Sequence, residues 1–454
     1  MFENVLGQNA VNQLICDIEA GVLAPAMLFS GPPASGKGTA ALELGRVISC
    51  EAKPSEGKVF VRAPWGCGCP SCSRHRFLIH PDLICLGQRS FSAEIAASAG
   101  TFLRDSGSLP ARMLFVRSIR KLLSRFNQVL WEDDPKRSKI SPLVYSLEED
   151  LDELDLLTKT EASPENLEPV KKLIEGTKKN AFKLESEGIS ETIPIAQIRR
   201  AAFWGRLAPT GRGKLLVIEN ADRMQDESRN SLLKLLEEPP GRLTLALTSS
   251  RPGSLLPTML SRLRPYRFGD RPANVEEDVI RRVFRDEVKA PQGISAYLDS
   301  FLPVSLETLD ALAAFFATSV SYKAAFLCKK EGRSLPEEVV LLGKYCAPIA
   351  EESGLGRPKA DSAAVVNIIL EKAEKFEIRS LFSRFLNRLL FNVTLSQKQP
   401  SSAGSDSFLP SVAYNEVWKK NTDWAESAVA VYNLRPVQAL EKLFTDLSRG
   451  MAEL

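Results

Sequence analysis

The run "KLLVIENADRM" at residues 214–224 decides how the rest of the chain is read. Leu215, Leu216, Val217 and Ile218 form a strand apolar on both faces, which belongs inside a sheet covered on two sides. Polar groups follow at its carboxyl end, where open α/β sheets bind their ligands. Nucleotide-hydrolysing sheets place Asp and then Glu there, one holding Mg²⁺ through water and the other activating the attacking water. Here that pair is Glu219 and Asn220. Glu219 is one methylene longer than Asp and still able to reach a metal-bound water. Asn220 accepts no proton and cannot be a general base.

A second strand, "AMLFS" at 26–30, leads into "GPPASGKGT" at 31–39 and then a helical pattern, the context a phosphate-binding loop requires. Gly31 and Gly36 let the backbone wrap closely through Pro32, Pro33, Ala34 and Ser35, so that amides point at phosphate oxygens. Lys37 adds a positive charge, and the helix amino terminus adds its dipole. The hydroxyl that ordinarily follows the lysine and ligates Mg²⁺ is replaced by Gly38; Thr39 comes one position late.

"LTLALTS" at 243–249 is another buried strand, and "DESRNSLLKLLEE" before it is a helix ended by Pro239 and Pro240. Alternating strands and helices predict a mainly parallel sheet with helices on both faces. Residues 88–192 are rich in charge, with helical patterning and no strong strand, and read as an insertion on the surface of this domain. From about 269 the pattern is helical to the end, with a polar loop expected at 396–407. The predicted domains are an α/β domain at 1–268, a helical lid at 269–325 and a helical collar at 326–454.

With 454 residues, 44% apolar and 25% charged, the chain reads as an ordinary soluble globular protein of several domains. A net charge of +3 restricts nucleic-acid affinity to local patches. One such patch is the basic stretch at 198–214, which carries Phe203 and Trp204. No apolar run approaching a membrane span is read, and the opening "MFENVLGQNA" lacks the pattern of a signal peptide. A cytoplasmic protein without membrane partners is expected. In a reducing compartment clustered cysteines indicate metal. Cys67, Cys69 and Cys72 have the close spacing of a metal knuckle, which Cys50 would complete as a four-thiolate zinc site within a module at about 50–85; the spacing is tighter than the commoner C-x2-C-x2-C and leaves open which three close on the metal, with His75 as a substitute ligand.

Together these segments resemble the clamp-loader subunits of bacterial DNA polymerase III, members of the AAA+ class. The resemblance runs from "FENVLGQNAVNQL" through the glycine loop, the cysteines and "HPDL" at 80–83. It resumes at "IPIAQIRR" and continues through "KLLVIENADRM", "NSLLKLLEEPP" and "LLPTMLSRLRPYRF". "YNLRPVQALEKLFTDL" near the end is similar to the close of the collar, particularly in delta-prime subunits. The resemblance implies that residues 31–39 cradle ATP with Mg²⁺, that Glu219 and Asn220 occupy the Walker B position, and that Ser249 or Ser250 senses the γ-phosphate. It further implies that Arg262 is an arginine finger for the adjacent subunit and that the four cysteines hold structural Zn²⁺, with Cys67 one position off the usual place. The implied partners are the other subunits of a hetero-pentamer, the sliding clamp and primed DNA.

Gly38, Asn220, the insertion and the missing Gly-Ser-x-Arg sensor depart from the pattern. They favour a poorly hydrolysing delta-prime-type subunit over an active gamma/tau-type ATPase. A nucleoside-monophosphate-kinase-like phosphotransferase, suggested by "GKGT", and a nucleotide-free zinc-stapled scaffold are the remaining alternatives.

Overall fold

The computed structural model describes residues 1–52, 63–159, 167–190, 192–287, 293–302, 304–373, 378–397, 412–430, 432 and 434–454. The polar loop expected at 396–407 lies, from 398 on, outside the described residues, as does part of the cysteine module. The chain forms two compact units, Met1–Phe301 and Leu302–Leu454.

The first unit opens with α1 (Asn9–Glu19), β1 (Ala26–Ser30), α2 (Lys37–Ile48), α3 (Pro70–Arg76) and β2 (Leu83–Gly87). The expected insertion follows as α4 (Ser92–Arg104), α5 (Leu109–Leu123), α6 (Gln128–Trp131), α7 (Arg137–Lys159) and α8 (Leu167–Gly188). Next come α9 (Ile195–Arg206), β3 (Lys214–Glu219), α10 (Asp226–Glu237), β4 (Leu243–Ser249), α11 (Pro257–Leu260) and β5 (Arg264–Arg267). Short α12 (Ala273–Val279) and α13 (Gly293–Asp299) close the unit.

The five strands pair in parallel in the order β2-β3-β4-β1-β5. Side chains alternate across the pleat. Met27, Phe29, Leu215, Val217 and Tyr266 face α1, α2 and α3, while Leu28, Ile84, Leu86, Leu216, Ile218, Leu245 and Leu247 enter the opposite core. The β1 and β3 termini, and hence the glycine loop and Glu219, emerge on the same sheet edge with β4 between them.

The insertion is not an appendage on the domain surface, as its charge suggested. Phe91, Ile95, Phe102, Phe115, Ile119 and Leu122 are buried in the same core as the sheet, and the antiparallel-spaced stripes of α7 and α8 extend it. Within "EEDLDELD", Leu151 and Leu154 sit three positions apart on one helix face and are buried, while Glu149, Asp152 and Glu153 turn outward. High average charge concealed a helical apolar stripe.

The insertion also holds the helices beyond residue 269. Ala97 of α4 packs with Ile280, Phe284, Ile294 and Tyr297. Thr101 Oγ1 and Arg104 Nη2 each donate to the Phe284 carbonyl at 3.0 Å.

Among the described residues the second unit is all helix. α14 (Leu306–Glu331) is surrounded by α15 (Glu337–Glu352), α16 (Ser362–Ala373), α17 (Ile378–Ser396), α18 (Val412–Ala430) and α19 (Pro436–Ala452). The lid–collar boundary expected at 325/326 falls inside α14, which runs unbroken from a Ser305 cap to a left-handed Gly332. By length and composition α14 is apolar enough to span a membrane, a feature the sequence reading did not register. Its most apolar window is 72% buried as the axis of this helical unit.

Candidate phosphate and metal sites

Glycine shapes the loop after β1. Gly36 is left-handed at φ 95° and caps α2, and a side chain at Gly31 would collide with the Phe268 carbonyl at the end of β5. Lys37 is folded back into the loop. Its Nζ donates to the Gly31 carbonyl at 2.6 Å, to the Pro32 carbonyl, and to Ser35 Oγ at 3.3 Å. Burial pulls its pKa down to about 8, against the opposing pull of Asp222 and Glu219. Arg271, which sequence reasoning missed, holds the loop from outside through Nη1 to the Ala34 carbonyl at 2.8 Å and Nε to the Leu6 carbonyl at 2.8 Å. No spacing rule connects residue 271 to residue 34; only the β1–β5 pairing does.

Glu219 is buried at the end of β3, and its environment differs from that of a metal ligand. Arg125 pairs with Oε2, and Arg89 Nη1 lies 3.4 Å from Oε1. Burial pushes the carboxyl pKa up, but Arg125, Arg89 and Lys121 outweigh burial and hold it below the ordinary range. All three cations come from the insertion. Arg89 also pairs with Glu94, which Lys121 pairs from the other side. Phe91 lies between the two arginines, with each guanidinium 5.4 Å from its ring centroid. Arg125 is 6% exposed, and its Nε and Nη1 find no hydrogen-bond acceptor among the described residues.

The position beside Gly38, where a magnesium-ligating hydroxyl would stand, is filled. A carbon added there would collide with Glu219 Oε1 and lie 3.4 Å from Arg89 Nη1. The residues present therefore do not fit a Mg²⁺ ion held in the usual way: one ligand is missing and the other already carries two cations.

Asn220 adopts the left-handed conformation that Asn tolerates, at φ 51° and ψ 54°. Its Nδ2 donates to the Gln88 carbonyl at 2.6 Å, and its backbone N–H donates to Thr248 Oγ1 at 3.1 Å. The residue at the general-base position thus anchors the start of the insertion. Of the two sensor candidates, Ser249 is buried and donates to Asp222 Oδ1 at 2.6 Å, while Ser250 is exposed. Asp222 is a second acid near Lys37 that the sequence reading left out.

Arg262 stands apart from this cluster, at the end of α11. Its Nη1 donates to the Thr258 carbonyl at 2.6 Å, and its Nη2 pairs with Glu237 Oε1 at 2.8 Å at the surface. The aromatic pair at 203–204 is divided. Trp204 is buried over Lys214, whereas Phe203 is 65% exposed beside exposed Arg199 and Arg206 on the same face of α9.

Cys50, Cys67, Cys69 and Cys72 converge, with all four sulfurs within 4.8 Å of one another. Cys50 Sγ lies 3.7 Å from Cys67 Sγ and 4.0 Å from Cys69 Sγ. Thiolates around a tetrahedral zinc with bonds of about 2.3 Å sit roughly 3.8 Å apart, so the spacing suits a metal of that size. Cys67 joins the group despite its tight spacing. Cys69 caps α3 and accepts the Cys72 N–H; this contact and the Glu51 N–H overcome burial to bring its thiol to about 7. Burial pushes the Cys72 thiol up, while Arg46 Nη1, 3.4 Å from its sulfur, pulls the other way. His75 is outside the group: it stacks on His80 with ring centroids 4.1 Å apart. The "HPDL" motif is a brace, with His80 Nε2 3.1 Å from Ser71 Oγ and the Asp82 carboxylate accepting from the Thr210 and Gly211 amides.

A parallel sheet of this order, with a glycine loop after β1 and an acid at the end of β3, fits the phosphate-binding α/β domain of the AAA+ class. Residues 155–272 match the family described as DNA polymerase III, delta subunit. The chain is 40% identical over 91 residues to the DNA polymerase III subunit delta' of Pseudomonas aeruginosa, an alignment covering 20% of this chain and 28% of that protein. Among solved structures it is similar to a DNA polymerase III gamma subunit-related protein from Thermotoga maritima. That match has 17% identity and a TM-score of 0.29, covering 58% of this chain and 81% of the other. In sequence, part of this chain is thus similar to delta-type subunits of DNA polymerase III.

Proposed function

We propose that the chain is a delta-prime-type clamp-loader subunit that hydrolyses ATP poorly and supplies Arg262 to the nucleotide site of a neighbouring subunit. It would act in the cytoplasm within a hetero-pentamer that places the sliding clamp on primed DNA. The observation that carries this reading is the state of Glu219, held by Arg125 and Arg89 beside a position that lacks the metal-binding hydroxyl. Asn220, bonded to Gln88, takes no proton from an attacking water. The same observation speaks against a gamma/tau-type ATPase. Against a phosphotransferase stands the use of the "LLKLLEE" helix, whose Glu237 seats Arg262. The four thiols would hold a structural zinc that fixes α3 against α2.

Guanidinium suits action in trans because it is planar, always charged and donates parallel hydrogen bonds to phosphate oxygens. Arginine fingers elsewhere contribute about 10³–10⁵ in rate. In a reconstituted loader, Arg262→Ala should sharply reduce DNA- and clamp-stimulated ATPase, while Lys37→Ala in this chain has little effect. Equal damage from both would return the chain to the gamma/tau class, and no effect from either would make Arg262 a surface charge.

A further inference from the structure

We infer that the inserted helices replace the divalent cation at this phosphate loop, so that the chain takes a nucleoside polyphosphate without magnesium. The inference rests on the proposed reading that residues 31–39 bind nucleotide, and adds what accompanies the ligand there.

Magnesium keeps octahedral geometry and, in nucleotide sites, is held by one or two protein oxygens together with substrate phosphates. At the two usual positions this chain offers no free protein oxygen, and Asp222, the other acid near Lys37, accepts from Ser249. Gly38 has no hydroxyl, and the space beside it is filled by Glu219 Oε1. The carboxylate is not idle there: Arg125 and Arg89 hold its two oxygens, Glu94 fixes Arg89 in turn, and both guanidiniums lie against the Phe91 ring. A divalent cation entering this edge would have to displace Arg125 and Arg89 from the Glu219 carboxylate, which they already neutralise.

The phosphate-binding elements are intact. Gly31 and Gly36 keep the loop open to close approach, the α2 amino terminus points into it, and Lys37 is buried within it. Arg89, Arg125 and Lys121 against Glu219 and Glu94 leave one positive charge in excess among these five groups, without a metal. Asn220 ties Gln88 to the end of β3, and α4 and α5 lie across the sheet, which brings the insertion to this position. It thus neutralises Glu219, with atoms that cannot dissociate, where a hydrolysing site would hold magnesium.

The test is equilibrium binding of a fluorescent ATP analogue to the full chain in excess Mg²⁺ and in buffer freed of divalent cations by a chelating resin before the protein is added, which leaves protein-bound zinc in place. Affinity should agree within about threefold between the two conditions. A loss of about tenfold or more without magnesium would overturn the inference and leave the nucleotide-binding reading standing. Absence of binding in both conditions would remove the nucleotide-binding reading, and the inference with it. A triple variant, Arg89→Gln, Arg125→Gln and Glu219→Asp, removes both cations and shortens the acid. If it folds, as judged by its circular dichroism, its affinity should become magnesium-dependent; if it does not, the comparison on the unaltered chain decides alone.

Discussion

The Glu219 carboxylate occupies the space that a side chain at position 38 would need. Restoring the magnesium hydroxyl by Gly38→Thr therefore overpacks the start of α2 against a buried ion pair. Overpacking of this kind costs about 1–3 kcal/mol, and the new hydroxyl would add no turnover. Gly38→Thr with Glu219→Asp draws the colliding carboxylate oxygen back by one methylene and should recover most of the lost stability. Denaturant unfolding of the single and double variants checks this. Equal stability of Gly38→Thr and the unaltered chain would show that Glu219 moves aside freely.

Arg125 and Glu219 are both buried, so removing one partner leaves an uncompensated charge in the core. Arg125→Ala should destabilise the first unit by about 3 kcal/mol, with Arg89 at 3.4 Å retaining part of the neutralisation. Arg125→Leu combined with Glu219→Gln removes the charges together and should be far less damaging. A double-mutant cycle on unfolding midpoints reads the coupling. Additive losses would mean that the pair contributes nothing beyond packing.

The glycine loop, the β3 edge and the four cysteines were legible because each depends on residues close in sequence: a helix start, a strand end, a knuckle. Glu219 and Asn220 already departed from the usual Asp–Glu pair. The partners that hold Glu219 were not legible. Arg125 precedes Glu219 by more than ninety positions inside a segment whose high charge resembled a solvated surface. Its apolar positions carried the correct signal: Phe115, Ile119 and Leu122 are spaced for one buried helix face. Average charge hid that stripe. The expected position of the lid–collar boundary, 325/326, lies within one uninterrupted helix at residues 306–331, which has no proline or glycine and so offered no physical break in the sequence there.

The convergence of Cys50 with Cys67, Cys69 and Cys72 gives a stoichiometric expectation. The purified chain should contain about one zinc, and Cys69→Ser or Cys72→Ser should remove nearly all of it. Cys85→Ser serves as the comparison, since Cys85 is buried in the sheet outside the group. Metal analysis by mass spectrometry is the measurement. Full zinc content in both knuckle variants would rule out a thiolate site here.

Lys37 links phosphate binding to pH. Burial brings its pKa to about 8, while Asp222 and Glu219 pull in the opposite direction. A phosphate group beside the ammonium favours the charged form, so the lysine's pKa is higher in the complex than in the free chain. The sign follows: ligand affinity is full below the free value and falls as pH rises through about 8 toward the bound value, by up to about tenfold per pH unit. Affinity for a fluorescent ATP analogue should therefore decline between about pH 7.5 and 9.5. Lys37→Arg supplies a charge that does not titrate in this range, so whatever affinity it retains should be nearly flat over the same interval. A flat profile for the unaltered chain, or the same slope in Lys37→Arg, would show that another group controls the site.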